Sequence, residues 1–561
     1  MARVEGSPSY QLSDNPQEAC GVTAVFGKLG QDIAPLIPKY QDRLTNRGHD
    51  AAGGIVKSFK TQDFVTHKGP GRARDVFEGF DFLSIDMEGS VGIGHNRYQT
   101  SIDDESDPAL GIQPIVAEYQ GRKIAVAYNG NLPDTMRAKL QAKIPDDMAP
   151  APADIDTYDI ARAIISSPGI EWEDKFTAAL ADIPLAYSLT MVTDDDRVFG
   201  LRCPRGTWPL WFAEKDDTVI FASESRVEKE PDVPWQSVKP GELVEATPDG
   251  VKRTQLFTPI QEKRCSLNDL YGARFDSLFV GEATYADFRH ELGRQLAREL
   301  PDEYRDADAV FGIPESGLAI ADGVAEELGL PAIEFIGKNK PASKTQHNIE
   351  LTLNTTSEIS SGHQSNEDED DHGSLKSFIQ KDQAAIAKML STKFDIPNSK
   401  LANAYDVPRK KVILTDETMI RGNTLGGDPK LDVPGVINLL RDNGVEKVLV
   451  AISASEFTFG CDQGYYIQEG KLVAVEIDEE GNRHILNHDQ IASKIGADAL
   501  YCLSIKGMKD VYEKFTGDRE CACMACMGEP HPLDTVSLGP GVKPITLYIR
   551  DESNQLQTAA D

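Results

Sequence analysis

The stretch NPQEACGVTAVFG, residues 15–27, sets a charged, proline-bearing lead directly against a cysteine and an apolar run that reads as a β-strand. The first half of the fold turns on Cys20. It is either a small core residue, as free cysteine often is, or the first residue of a chain from which residues 1–19 are cut away as a propeptide. In the second case its α-amine, with a reference pKa near 8, can take the thiol proton, which a backbone amide cannot do.

Working outward, residues up to about 260 are dominated by short apolar strands such as SVGIGH, KIAVAYNG, AYSLTMVT and TVIFASES. Two helices interrupt them, IAPLIPKYQDRLTNRG (33–48) and DTYDIARAIISS (156–167), the second with apolar residues at helical spacing. Strands paired among themselves under a helical layer predict an α+β domain over 20–260. After residue 265 the order changes. DAVFGI, ESGLAIADGVAEELG and PAIEFIG read as strand, helix, strand, and KKVILTD, VPGVINLLRDNG and VEKVLVAISA repeat it. That alternation predicts an α/β domain with a parallel sheet over 265–510, whose ligands bind at the carboxyl ends of strands. A polar, acidic stretch at 341–375 reads as an insertion, and 511–561 as a cysteine-rich segment and tail.

The 561 residues carry 58 Lys and Arg against 90 Asp and Glu, a formal charge of −32. Such a chain repels phosphate backbones and anionic lipid, so neither nucleic acid nor membrane is an expected partner. No run approaches the roughly 18 apolar residues of a membrane span, and a cytoplasmic location is expected. The eight cysteines do not form a disulfide framework. The pair Cys523-x-x-Cys526 alone is compatible with zinc, iron–sulfur, redox chemistry or no special role.

Hydrolysing glutamine requires a nucleophile, a base, an oxyanion hole and a clamp for the amino-acid end, and each has a candidate. Cys20 supplies thiol and amine. Asn129 and Gly130, in AYNGN after a strand, can hold a developing oxyanion. Arg97 in HNRYQT can fork onto a carboxylate, with Thr100 assisting. Asp156 either receives the substrate ammonium or caps its helix. Taken together, ACGVTAVFG, RLTNRGHDAAGGI, VGIGHNRYQTS, AYNGNL, DTYDI and FASESRV resemble the class II glutamine amidotransferases, which are N-terminal-nucleophile hydrolases with an αββα sandwich. The resemblance implies that Cys20 is the nucleophile and that Arg97, Thr100, Asn129, Gly130 and Asp156 surround bound glutamine. His49 stands where the family usually has Gln.

A second site lies in VILTDETMIRGNT (412–424), a strand, two acids and a glycine-bearing turn before a helix. Free backbone N–H groups in such a turn suit phosphate, and the acids suit a ribose diol or Mg²⁺. The segment resembles the phosphoribosyl-pyrophosphate (PRPP) loop of type I phosphoribosyltransferases. Joined to a glutaminase, it is similar to the glutamine PRPP amidotransferases over about residues 18–530. That likeness implies Asp416 and Glu417 for the ribose or Mg²⁺, and Arg421, Gly422, Asn423 and Thr424 for the 5-phosphate. It further implies four ligands to a [4Fe–4S] cluster, Cys265, Cys461, Cys523 and Cys526, with Cys521 as a spare thiol.

The implied reaction makes 5-phosphoribosylamine from PRPP, glutamine and water, the first step of purine biosynthesis, in a homo-oligomer that is a tetramer by family resemblance. The departures gather in the second half: Glu417 for Asp, Gly317 for Ser, Lys376 for Arg, and Ile386 and Ala387 where the family is basic. They keep open an alternative, a paralogue delivering ammonia to a different phosphosugar or small acceptor. A non-catalytic, cluster-stabilised homologue is the other.

Overall fold

The computed structural model describes residues 20–333 apart from 29, 98–110, 153–154, 184–185, 229 and 231, and residues 410–530 apart from 429–432, 462–464, 466, 468 and 480. Strand backbones at 337–338, 394–395, 548–550 and 556–558 complete it. Residues 1–19, Thr100, the acidic insertion, Lys376, Ile386 and Ala387 lie outside the described residues.

The apolar run after Cys20 forms β1 (Gly21–Gly27), buried along its whole length inside a seven-stranded sheet. It pairs antiparallel with β2 (Val91–Arg97) and with Thr218–Ala222. A six-stranded sheet faces it and contains β3 (Arg122–Gly130) paired antiparallel with β4 (Tyr187–Thr193). Period-two alternation sends Val22, Ala24 and Phe26 of one sheet against Ala125, Ala127 and Val192 of the other. Helix α1 (Leu36–Arg43) covers the outer face of the first sheet, with Ile37 and Tyr40 in the same core as Val25. Helix α2 (Asp156–Ser166) covers the second, with Ile160 and Ile164 in the core of Ile124 and Val126. This is the expected αββα sandwich. Each fully buried Ile or Val in these layers contributes about 1.5–3 kcal/mol. Helix α1 is shorter than the apolar pattern suggested, since Pro35 stands at its start and Leu44 leaves helical geometry with ψ 17°.

In the second half, a five-stranded sheet orders Ala332–Ile333, β5 (Ala309–Gly312), β6 (Lys411–Asp416), β7 (Lys447–Ile452) and β8 (Ala499–Cys502), every pair parallel. Helix α3 (Ser316–Leu328) follows β5, the helix Val436–Asp442 lies between β6 and β7, and α4 (His488–Ile495) lies between β7 and β8. Helices on a parallel sheet leave its strands buried on both faces, which is why KKVILTD and VEKVLVAISA read as continuous apolar runs. No helix among the described residues is long and apolar enough to cross a membrane.

Candidate functional site

Cys20 stands one residue ahead of β1, fully buried, and its backbone N–H donates to Asn129 Oδ1 at 3.1 Å. Asn129 sits near the end of β3 opposite Ser188, itself fully buried. Among the described residues its Nδ2 has no hydrogen-bond partner. A buried donor left unsatisfied costs on the order of 1–3 kcal/mol, so this one is a cost kept beside the cysteine. An amide donor held there by the other end of its own side chain is the kind of group an oxyanion requires. Gly130 follows because nothing larger fits: a Cβ there would lie 2.4 Å from Ala186 O and 2.8 Å from the Tyr128 hydroxyl.

Register brings the clamp alongside. Gly21 pairs with Asn96, so Cys20 and Arg97 leave the sheet together at one edge. Arg97 Nη1 donates to Gly111 O at 2.9 Å, which fixes the guanidinium. Asp156 is the first residue of α2, where the cap position belongs to Ile155, whose side chain makes no capping bond. Asp156 thus stands in the first turn of α2, not at its cap position, and Thr157 Oγ1 donates to its Oδ1 at 3.3 Å. Burial pushes the Tyr128 hydroxyl well above its ordinary value, and the charges of Asp156, Cys203, Tyr187 and Cys20 add to that. His49 Nε2 lies 3.7 Å from Asp50 Oδ1.

At the carboxyl end of β6, Asp416 and Glu417 are 7 % and 3 % exposed, low enough that each needs a partner. Asp416 Oδ1 accepts from the Glu417 N–H at 3.0 Å, while Glu417 Oε2 has no hydrogen-bond partner among the described residues. An orphaned, buried carboxylate oxygen fits a ribose hydroxyl or a cation. The Arg289 guanidinium, pushed down by burial, feels the charge of Glu417 in the opposite sense. Residues 416–425 and Tyr271 line one cavity. Gly317 also borders the acids: a Cβ there would lie 3.0 Å from Thr415 O and 3.5 Å from Asp416 Oδ1.

Gly422 turns the loop after β6 with φ +77°, and a Cβ on it would come within 3.1 Å of Ile495 Cγ2 and Val473 Cγ2. Gly422→Ala is expected to cost about 1–3 kcal/mol through the left-handed backbone alone. A raised KM for PRPP with unchanged glutamine hydrolysis should accompany it in steady-state assays.

Three chain regions bring four thiols together. Cys265 and Cys523 face each other in register across a two-residue parallel bridge. Cys526 follows in the next turn, and its carbonyl accepts from the N–H groups of Thr458 and Phe459, which anchors the loop carrying Cys461. Burial pushes the Cys526 thiol up, and Cys461, Cys523 and Cys265 each push it further. Cys521 faces elsewhere: its thiol meets Thr516 Oγ1 at 3.3 Å and is pushed up to about 11 by burial. The set Cys265, Cys461, Cys523 and Cys526 is thus the one brought together, a donor set suited to an iron–sulfur cluster.

Between the two sites runs a junction that motif reading missed. Arg47 Nε donates to Glu224 Oε1 at 2.5 Å, both residues 1 % exposed, and Arg47 Nη2 donates to Asn268 Oδ1 at 2.9 Å. Glu224 Oε2 accepts from Arg274 N–H and Ser277 Oγ, and Asn46 Nδ2 donates to Gly272 O. One end of this network touches Gly21, whose Cβ would meet Arg47 Cβ at 3.4 Å. The other end adjoins Tyr271, which lines the cavity of residues 416–425. Both partners were in view, in RLTNRG and FASESRV, but nothing in one dimension pairs them.

No family model matches the chain. Among curated proteins it is similar to the amidophosphoribosyltransferase of Mycobacterium leprae, 30 % identical over 535 residues and covering 93 % of this chain and 83 % of that one. The amidophosphoribosyltransferase of Synechococcus elongatus is 27 % identical over 528 residues, covering 93 % and 92 %. Among solved structures, glutamine PRPP amidotransferase from B. subtilis superposes with a TM-score of 0.70 at 23 % identity, over 91 % of this chain and 97 % of that one. Since the likeness runs through the glutaminase half, the phosphoribosyl half and the junction between them, the chain belongs to the amidophosphoribosyltransferases.

Proposed function

We propose that the chain converts glutamine, PRPP and water into 5-phosphoribosylamine, glutamate and pyrophosphate, the first step of purine biosynthesis. The observation that carries the glutaminase half is the Asn129 Nδ2, without a hydrogen-bond partner among the described residues and one hydrogen bond from Cys20.

Removal of residues 1–19 turns the Cys20 N–H into an amine that keeps Asn129 Oδ1 as acceptor. The amine takes the thiol proton, the sulfur attacks the glutamine amide carbon, and the oxyanion is held by Asn129 Nδ2–H and the Gly130 N–H. Collapse expels ammonia, which leaves with the proton from the amine, and water then releases glutamate from the thioester. Arg97 and Thr100 hold the substrate carboxylate and Asp156 its ammonium. In the second half Arg421, Gly422, Asn423 and Thr424 hold the 5-phosphate, Asp416 and Glu417 the ribose hydroxyls, and ammonia displaces pyrophosphate at C1. Asp416 and Glu417 would also hold Mg²⁺, which when bound neutralises charge on the leaving pyrophosphate. Cys265, Cys461, Cys523 and Cys526 would hold a [4Fe–4S] cluster that ties the tail to both halves, since neither half-reaction transfers an electron.

Glutamate release measured with and without PRPP tests the assignment. PRPP is expected to stimulate release, with one pyrophosphate formed per glutamate. Release that ignores PRPP would indicate a different acceptor.

A further inference from the structure

Outside both sites, three side chains of different chemistry converge where β7 and β8 end. Glu456 follows β7 by four residues, His488 opens α4 and Cys502 closes β8. One ligand atom from each lies within 4.8 Å of the other two. We propose that Glu456, His488 and Cys502 form a site for a zinc-type divalent cation that braces α4 against the two strand ends.

The donors fit that class of ion. Thiolate, imidazole and carboxylate on one centre select a borderline-soft dication, and three protein ligands leave a fourth position for water. Cys502 is 5 % exposed and the Glu456 side chain 13 %, while the His488 side chain, at 31 %, leaves the ion a way in. His488 Nε2 and Glu456 Oε1 lie 2.6 Å apart. Ligand bonds of about 2.0–2.1 Å in tetrahedral geometry set nitrogen and oxygen roughly 3.4 Å apart. Coordination therefore opens this contact by less than an ångström, a small swing for two half-buried side chains. Both side chains are held near the ion's place. Ser455 Oγ donates to Glu456 Oε2 at 3.0 Å, and the His488 ring packs edge-on to Tyr501 at 5.5 Å.

Helix α4 gives the site a consequence. His488 is at its first position, and Ile495 at its last packs on Gly422 and Gly426 of the phosphate loop. An ion clamping the first turn steadies the helix on which that loop rests.

The holoenzyme, freed of loosely bound metal and then titrated with Co²⁺ and separately with Zn²⁺, tests this against Cys502→Ser and His488→Asn. The wild type is expected to take up one equivalent per chain more than either variant, with a thiolate-to-Co²⁺ charge-transfer band that both variants lack. Iron content and glutaminase activity, unchanged in the variants, certify folding and keep the four-thiol cluster out of the difference. Hydrogen exchange over 488–495 is expected to slow with Zn²⁺ in the wild type only. Equal uptake and equal spectra in all three proteins would overturn the site; uptake without slowed exchange would overturn the brace.

Discussion

Cys20→Ser is expected to lower glutamine-dependent synthesis at least about a thousand-fold while leaving ammonia-dependent synthesis within about two-fold, because the nucleophile serves only the first half-reaction. The two ammonia sources, compared in one assay of pyrophosphate release, separate a lost nucleophile from a misfolded chain. Asn129→Ala should cost about 10²–10³-fold in glutamine hydrolysis, the usual cost of removing one oxyanion donor. It also deletes the acceptor of the Cys20 N–H. Intact mass supplies the third arm: mature wild type should begin at Cys20. Full glutamine-dependent activity in Cys20→Ser would remove the claim altogether.

Much of this site was legible because it rests on short-range rules. Period-two alternation places residues on faces of β1 and β3, whereas Cys20 taken alone read equally as a core residue and gained a role only from the set of segments around it. The parallel sheet was legible from two strand–helix–strand units. Sheet order was not, since alternation tells which face a side chain takes and nothing of which strand lies beside it. The cap position of α2 fell one residue before Asp156, a difference that composition does not resolve. Cys523 and Cys526, rather than Cys521, were already implied by the family resemblance; what the sequence did not show is the parallel bridge that sets Cys265 against Cys523. Glu456, His488 and Cys502 have no motif spacing at all; only the ends of two neighbouring strands and a helix start bring them together.

Arg47 is where the largest loss of stability is expected. Arg47→Met leaves Glu224 buried without its countercharge, which costs about 3–5 kcal/mol when one partner of a buried pair is removed. Burial alone would push the Glu224 carboxyl up, but Arg47, Asn46 and the Arg274 N–H outweigh it and hold it below the usual carboxylate range. A carboxyl held low stabilises the fold above its unfolded pKa of about 4.3, and that contribution is lost as pH falls through the folded value. The gap between wild type and Arg47→Met in denaturant midpoint should therefore be widest near neutrality and close in acid. Arg47→Met with Glu224→Gln should recover part of the loss, because no unpaired charge remains buried. The pair spans 177 residues and sits between Gly21, next to the nucleophile, and the segment leading to Tyr271 in the phosphate cavity. The double variant, once stable, should then hydrolyse glutamine with less of the ammonia captured as phosphoribosylamine, read as glutamate formed in excess of pyrophosphate. One-to-one stoichiometry in that variant would confine the bridge to stability and leave coupling to other contacts at the junction.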